Sequence, residues 1–276
     1  MNVEGLKRRI VGTELGRALL RSSDWNRIWR AVRGNPEKLA MISQDMLGVA
    51  LLPQLCRSSA CFLDVGAHIG SVIASVQARS TEIEVIAIEA IPAKAAALEK
   101  KFPHVQIHSC AVGERTDEVS FFVDLKRGGF SSLARAGRAE ADVEEICVPM
   151  RRIDDLVHPA AIVDVIKIDV EGAELGALRG SEELVSRCRP AIYFESGVEE
   201  QMGYSHEALF KWFAERDYQV FVPNRVAHDG FPLGSEGFLE AHQYPVRTQN
   251  YFALAAERRA EFRDRARAFL GILPRD

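Results

Sequence analysis

The feature that most limits how this chain can fold is a change of pattern at residue 61. From there to residue 255, short and nearly unbroken apolar runs alternate with stretches of helical periodicity. The spacing predicts strands at Cys61–Val65, Glu84–Glu89, Val105–His108, Val119–Val123, Ile146–Pro149, Val163–Asp169, Ala191–Glu195, Gln219–Val222 and Tyr251–Ala255. Helices are expected near 70–79, 93–101, 173–187 and 205–216. Strands this continuously apolar are buried on both faces, and strands that alternate with helices form a parallel sheet covered on both sides. The expected class is α/β. A chain of 276 residues accommodates one such domain with an appendage.

The appendage is expected at the start. Residues 1–58 read as a helical extension, 59–256 as the α/β domain and 257–276 as a C-terminal helix. Leu6, Ile10, Val11, Leu15, Ala18 and Leu19 recur at helical spacing. Ser23-Asp24 is a plausible N-cap before Trp25, Ile28, Trp29 and Val32, and Gly34-Asn35-Pro36 ends that helix. Trp25, Trp29 and Trp212 are most simply core residues. Residues 1–33 carry eight Lys/Arg against three Asp/Glu, which fits either an anionic surface or the solvated face of packed helices. The long irregular stretches, 124–144 and 223–249, are of a length that usually serves as lid or binding segment.

Composition removes several classes. A net charge of −4 leaves no footprint for nucleic acid. The five cysteines, at 56, 61, 110, 147 and 188, form no C-x-x-C pair, so neither a disulfide framework nor a zinc site is expected, and reduced thiols in a cytoplasmic protein are. Nothing approaches the roughly 20 apolar residues of a spanning helix, so no stable membrane insertion is expected. The oligomeric state is not legible.

The first strand ends in Leu63-Asp64-Val65-Gly66 and turns through Ala67, His68 and Ile69 to Gly70 before a helix. Glycines there let a ligand lie against the main chain at the carboxyl edge of the sheet. A nicotinamide dinucleotide site would need glycines at positions 68 and 71, where this chain has His68 and Ser71. Asp64 also opposes a pyrophosphate and suits a cationic ligand. Glu89 ends the next strand, 23 residues beyond Gly66, where an acid can accept hydrogen bonds from ribose hydroxyls. S-adenosylmethionine, with its sulfonium, its ammonium and no phosphate, meets both demands.

At Ile166-Lys-Ile-Asp-Val-Glu-Gly-Ala-Glu-Leu175 the chain resembles the FkbM-like family of S-adenosylmethionine-dependent methyltransferases. Further matching pieces are Leu63–Gly70, Ile88–Pro92, Ala111-Val112-Gly113, Arg152-Ile-Asp-Asp-Leu156 and Pro190–Glu195, so the resemblance covers about residues 60–196. It implies the class I methyltransferase fold, a Rossmann-like, seven-stranded and mostly parallel sheet with its last strand antiparallel. It further implies Asp64, Gly66 and Gly70 around the methionine part of the cofactor, with Ala67 and His68 beside them. Glu89 and Ala90 fall at the ribose, and Ala111 and Val112 near the adenine. The family's usual acceptors are hydroxyl oxygens on sugars, polyketides and other natural products. This chain departs from the family's turn in having His68 where asparagine is usual.

Methyl transfer to a hydroxyl needs alignment, exclusion of water and removal of a proton. Asp169, Glu171 and Glu195 fall at one sheet edge, as a general base or as ligands of a divalent cation. Asp169 also borders the cofactor, and the alternative role of Glu171 and Glu195 is to fix loops and helix starts. Lys167 is expected to pair with a neighbouring acid or to point outward. His108, His228 and His242 are further candidates, and Phe130-Ser131-Ser132 a candidate flap. The expected function is O-methylation of a small natural product or sugar. N-methylation and a catalytically silent cofactor-binding protein are the alternatives.

Overall fold

The computed structural model describes residues 11, 25–124, 131–132, 143–199 and 202–272. The helical periodicity expected for 6–19, apart from Val11, the cap at Ser23-Asp24 and Phe130 of the candidate flap lie outside these. Eleven strands are described: β1 (Cys61–Val65), β2 (Glu84–Glu89), β3 (Gln106–Ser109), β4 (Ala111–Val112), β5 (Asp117–Asp124), β6 (Ser131–Ser132), β7 (Val143–Arg151), β8 (Val163–Ile168), β9 (Ala191–Glu195), β10 (Tyr218–Phe221) and β11 (Asn250–Ala255).

Seven of them form one sheet in the order β10-β11-β9-β8-β1-β2-β3. β1, β2, β3, β8 and β9 run parallel to one another, and β11 is antiparallel to β9 and β10, between which it is inserted. This is the mostly parallel seven-stranded sheet, last strand reversed, of the class I methyltransferase fold. Every residue of β1 and β8 is buried, as their unbroken apolar runs require. Strand order reverses about β1, so the chain leaves β1 and β8 toward opposite sides and opens a crevice at their carboxyl ends.

A second sheet, β4-β7-β5-β6, takes the pieces expected at Val119–Val123 and Ile146–Pro149. They are one long antiparallel pair, Asp117 opposite Met150 through Asp124 opposite Val143, standing off the main sheet.

The helix expected over 173–187 is two, Glu174–Arg179 and Glu182–Cys188. The break falls at Gly180, where a Cβ would lie 2.1 Å from the carbonyl oxygen of Gly113. Asp154 then caps the second helix, accepting from the amides of Leu184 at 2.9 Å and Glu183 at 3.2 Å. Within 223–249 the structure places a short helix, Ser235–Ala241.

Trp25 and Trp29 are not core residues: they are 62% and 55% exposed. The helix over 25–34 buries Ala31 instead, which turns the tryptophan stripe outward. Trp212 is buried, its indole donating to Glu182. The next helix, Lys38–Leu55, lies on the sheet with Leu51, Leu52 and Leu55 fully buried. Gly48 lets it approach β9: a Cβ there would sit 2.6 Å from the Tyr193 ring.

Asp164, fully buried on β8, ties both ends of the described chain to the sheet. Its carboxylate accepts from Arg57 backbone N at 2.9 Å, Arg258 at 2.6 Å and Arg265 at 2.8 Å. Burial alone would raise this carboxyl, but the guanidiniums hold it below its ordinary range. Removing one member of a buried charge network leaves the others uncompensated, at a cost of about 3–5 kcal/mol. Asp164→Ala is therefore expected to lower unfolding free energy by about 3 kcal/mol in urea titration. A loss below about 1 kcal/mol would show that the arginines find water instead.

Candidate active site

The crevice holds a cavity of about 440 Å³, within the range of small-ligand sites. Its floor is the turn after β1. Gly66, His68 and Gly70 have φ of +82°, +51° and +79°. At Gly66 a Cβ would lie 1.9 Å from the carbonyl oxygen of Asp169, so only glycine lets the ends of β1 and β8 meet. At Gly70 a Cβ would strike Phe102 and Leu98, so this glycine serves the packing of the turn rather than the cavity wall. His68 occupies the left-handed region, where asparagine and histidine are among the better-tolerated side chains.

The amides of this turn are largely committed. Gly66 and Ala67 donate to the Ile88 carbonyl, Gly70 to that of Ala67, and His68 to Glu89 Oε2 at 2.8 Å. A pyrophosphate would find little of the amide cradle it requires. Glu89 Oε1 accepts from Ile91 N at 3.0 Å. Burial pushes its carboxyl above the ordinary range, opposed by the Lys94 ammonium and the two amides. Beside Glu89, the residues Ala90, Ile91, Cys110, Ala111 and Val112 form a mostly apolar wall.

Asp64 does not line the cavity. It lies fully buried beneath the turn, with its Oδ1 3.4 Å from Lys167 Nζ and neither oxygen hydrogen-bonded. Lys167 Nζ also donates to the Gly66 carbonyl at 2.7 Å and lies 3.4 Å from Asp169 Oδ2. Burial would lower this ammonium, but Asp169 and Asp64 hold it above its usual range. The acid at the end of β1 thus neutralises a lysine, and Asp169 presents the carboxylate that reaches the cavity.

Asp169, Glu171 and Glu195 each bring an oxygen within 4.8 Å of the others. Burial drives Glu195 well above the ordinary carboxylate range, with the charges of Asp169 and Glu171 acting the same way. Asp169 goes down: burial opposes this, but Lys167 and the hydrogen bond with Glu195 outweigh it. Burial and Lys167 thus push the two carboxyls in opposite directions, Glu195 up and Asp169 down. Glu171 lines the cavity with φ +53°. The loop is fixed instead by Glu174, which the sequence reading did not single out. Buried, it accepts from the amides of Val170 and Gly172 and from the Tyr204 hydroxyl at 2.6 Å.

Other cavity residues were also missed: Asp45, Val49 and Leu52 from the helix Lys38–Leu55, Lys94, Tyr193 on β9 and Asn250 on β11. The candidate histidines stay away from it. The His108 ring meets Gln106, and His228 is exposed. His242 stacks on His206 at 3.7 Å, between the Phe238 carbonyl and the Ser196 hydroxyl.

A cavity over a glycine turn at the switch point of this sheet, with the buried Glu89 in its wall, is the arrangement of a class I methyltransferase. The methyltransferase FkbM domain matches residues 64–220, and the chain belongs to that family, one of S-adenosylmethionine-dependent methyltransferases. Among solved structures, the methyltransferase FkbM from Methylobacillus flagellatus KT is similar at 20% identity and a TM-score of 0.45. That match covers 72% of this chain and 45% of that one, so the chain spans less than half the length of this relative. The precorrin-6y C5,15-methyltransferase from Geobacter metallireducens GS-15 matches at 14% identity, 64% and 73% coverage and a TM-score of 0.38. The plantazolicin methyltransferase BpumL, in complex with a monoazolic desmethylPZN analog and SAH, matches at 12% identity, 90% and 93% coverage and a TM-score of 0.40. No curated protein matches the chain. No helix of the described residues is long and apolar enough to cross a membrane.

His242 generates a pH prediction. Burial and the adjacent His206 lower its imidazole to about 4, against the hydrogen bonds to Phe238 and Ser196. In the unfolded chain a histidine titrates near about 6.5. Between those values the unfolded chain binds the extra proton, so stability falls as pH falls from about 6.5 toward 4, by up to about 1.4 kcal/mol per unit. Urea midpoints of wild type and His242→Gln over pH 4–7 check this: the variant is expected to show the shallower slope.

Proposed function

We propose that the chain transfers the methyl group of S-adenosylmethionine to a hydroxyl oxygen of a small acceptor, such as a sugar or other natural product. The observation that carries this reading is the buried Glu89, oriented by the amides of His68 and Ile91 at one end of the cavity, with the Asp169–Glu195 pair also at the sheet's carboxyl edge. Each Glu89 oxygen keeps a free lone pair for a ribose hydroxyl. The apolar wall of Ile91, Ala111 and Val112 suits an adenine, with Ala90 at the ribose. Ala67 and His68 border the methionine portion, with Gly66 beneath it. Asp64 and Gly70 act from below, one by holding Lys167 and the other by closing the turn. The cofactor supplies a carbon already activated for displacement by its sulfonium.

The chain's own contribution is to hold and deprotonate the acceptor. A general base is most effective when its pKa lies near the working pH. Glu195 meets that condition better than Asp169, which Lys167 keeps ionised. In this scheme Asp169 orients the acceptor hydroxyl and the pair takes up its proton. Glu171 adds negative charge that favours the proton's departure. The three carboxylates could instead accommodate a divalent cation, whose removal by a chelator would then abolish turnover.

Two measurements follow. Calorimetry with S-adenosylhomocysteine is expected to show Glu89→Ala weakening binding at least tenfold, or about 1.4 kcal/mol, and Glu195→Ala less than threefold. Equal effects contradict the ribose assignment, and no binding by the wild type overturns the reading. Once an acceptor is in hand, kcat is expected to rise with pH as Glu195 loses its proton. In Glu195→Gln that acidic limb should vanish along with at least 90% of the rate.

A further inference from the structure

The cavity has a second end that the cofactor assignment leaves unused. It lies between the helix Lys38–Leu55 and strands β9 and β11, and Asp45, Val49, Tyr193 and Asn250 reach it. We infer that this end is the acceptor subsite, and that Asp45 and Tyr193 select an acceptor rich in hydrogen-bond donors, neutral or cationic, against anionic ones. The inference rests on the methyltransferase reading above and deepens it.

Three observations carry it. First, Tyr193 lines the cavity although the residue as a whole is only 3% exposed. Second, its position is built. A Cβ at Gly48 would lie 2.6 Å from the Tyr193 hydroxyl oxygen, so the glycine makes room for it one turn away from Asp45. Third, the surroundings are acidic. Burial, and after it the charges of Asp45, Asp169 and Glu195, raise the hydroxyl well above its ordinary range.

Asp45 is held for this task from one side. Asn250 Nδ2 donates to its Oδ1 at 3.0 Å, and Arg27 lies 3.6 Å from Oδ2, reaching in from the surface. An ionised carboxylate only accepts hydrogen bonds, with about four lone-pair positions for two oxygens. The cavity's lysines act elsewhere, Lys94 on Glu89 and Lys167 on Asp64 and Asp169. The subsite therefore offers carboxylate acceptors, balanced in part at Asp45 by Arg27, beside a Tyr193 hydroxyl that can donate or accept, and it favours an occupant that brings O–H or N–H groups. A carboxylate or phosphate on the occupant would face Asp45, Asp169 and Glu171 across a confined space. Sites built to receive a donor discriminate strongly against analogues that lack it.

The test uses the full-length protein saturated with S-adenosylhomocysteine and three matched probes: methyl α-glucopyranoside, its 2-amino-2-deoxy analogue and the corresponding methyl glucuronide. Saturation-transfer NMR titrations give the three affinities. The amino sugar and the neutral glycoside are expected to bind at least tenfold more tightly than the glucuronide. Asp45→Asn is expected to reduce the preference of amino sugar over glucuronide at least fivefold. Asp45→Lys is expected to reverse it, and Gly48→Ala, which displaces Tyr193, to weaken all three probes. In each variant S-adenosylhomocysteine affinity should stay within twofold, which reports that the fold and the cofactor end are intact. Equal or tighter binding of the glucuronide by the wild type overturns the proposal, as does binding of none of the three while the cofactor product binds. Loss of S-adenosylhomocysteine binding in the wild type would instead strike at the underlying reading.

Discussion

The site hangs on one buried ammonium. Lys167 projects from β8 beneath the turn after β1, where Asp64, Asp169 and the Gly66 carbonyl all face it. Taking such a group out of water costs several kcal/mol unless charges and hydrogen bonds replace the water. Two carboxylates and a carbonyl do so, and in doing so they fix the relative position of two strand ends. The contact is tight enough that Gly66 can carry no side chain. Everything the cavity presents at its centre follows from this junction: the direction of Asp169, the floor of the turn and the level at which Glu195 meets Asp169. It also changes the meaning of the acid at the end of β1. Asp64 acts on a bound cation only through Lys167 and the turn.

Much of the fold was legible because parallel strands buried on both faces leave a local trace. β1, β2, β8 and β9 are short, mostly apolar runs set between helical stretches, and the terminal acids Glu89 and Glu195 sit at the carboxyl edge by construction. Asp169, one residue past β8, does so as well. What was illegible was long-range. Asp45 meets Asn250 across 205 residues of sequence, and no periodicity near either one encodes that meeting. The helix Lys38–Leu55 is nearly apolar around its circumference over its second half, so its pattern shows burial without showing against what. Trp25 and Trp29 misled for the opposite reason. Large aromatic residues at helical spacing normally mark a core face, but here Ala31 is the residue the body receives. The break at Gly180 depends on the carbonyl of Gly113, again a contact distant in sequence.

The charges divide the cavity into two ends with different work. At the Glu89 end the one acid is already bonded to two amides and compensated by Lys94, so it keeps a precise orientation and little free field. At the other end Asp169, Glu171 and Glu195 bring oxygens within 4.8 Å of one another, and the charges of Asp45, Asp169 and Glu195 act on the Tyr193 hydroxyl. Lys167 pushes Asp169 down and burial pushes Glu195 up, the pattern by which two neighbouring carboxyls come to differ in behaviour. The division follows the sheet, since Glu89 comes from β2 on one side of the switch point while Tyr193 and Asn250 come from β9 and β11 on the other.

His68 shows how little freedom the turn has. A side chain other than glycine at φ +51° is under strain, and the residues that bear it best are asparagine, aspartate and histidine. An aspartate would add a further negative charge beside Asp169, leaving asparagine and histidine as the workable choices. The backbone amide at this position does the more demanding task, since it donates to Glu89 and so locks that buried acid to the first turn. Any residue that keeps the left-handed conformation keeps that bond. The exchange of asparagine for histidine therefore preserves the geometry of the turn, and what it alters is the electrostatics next to Asp169: the imidazole helps hold that carboxylate ionised, and on protonation would do so more strongly.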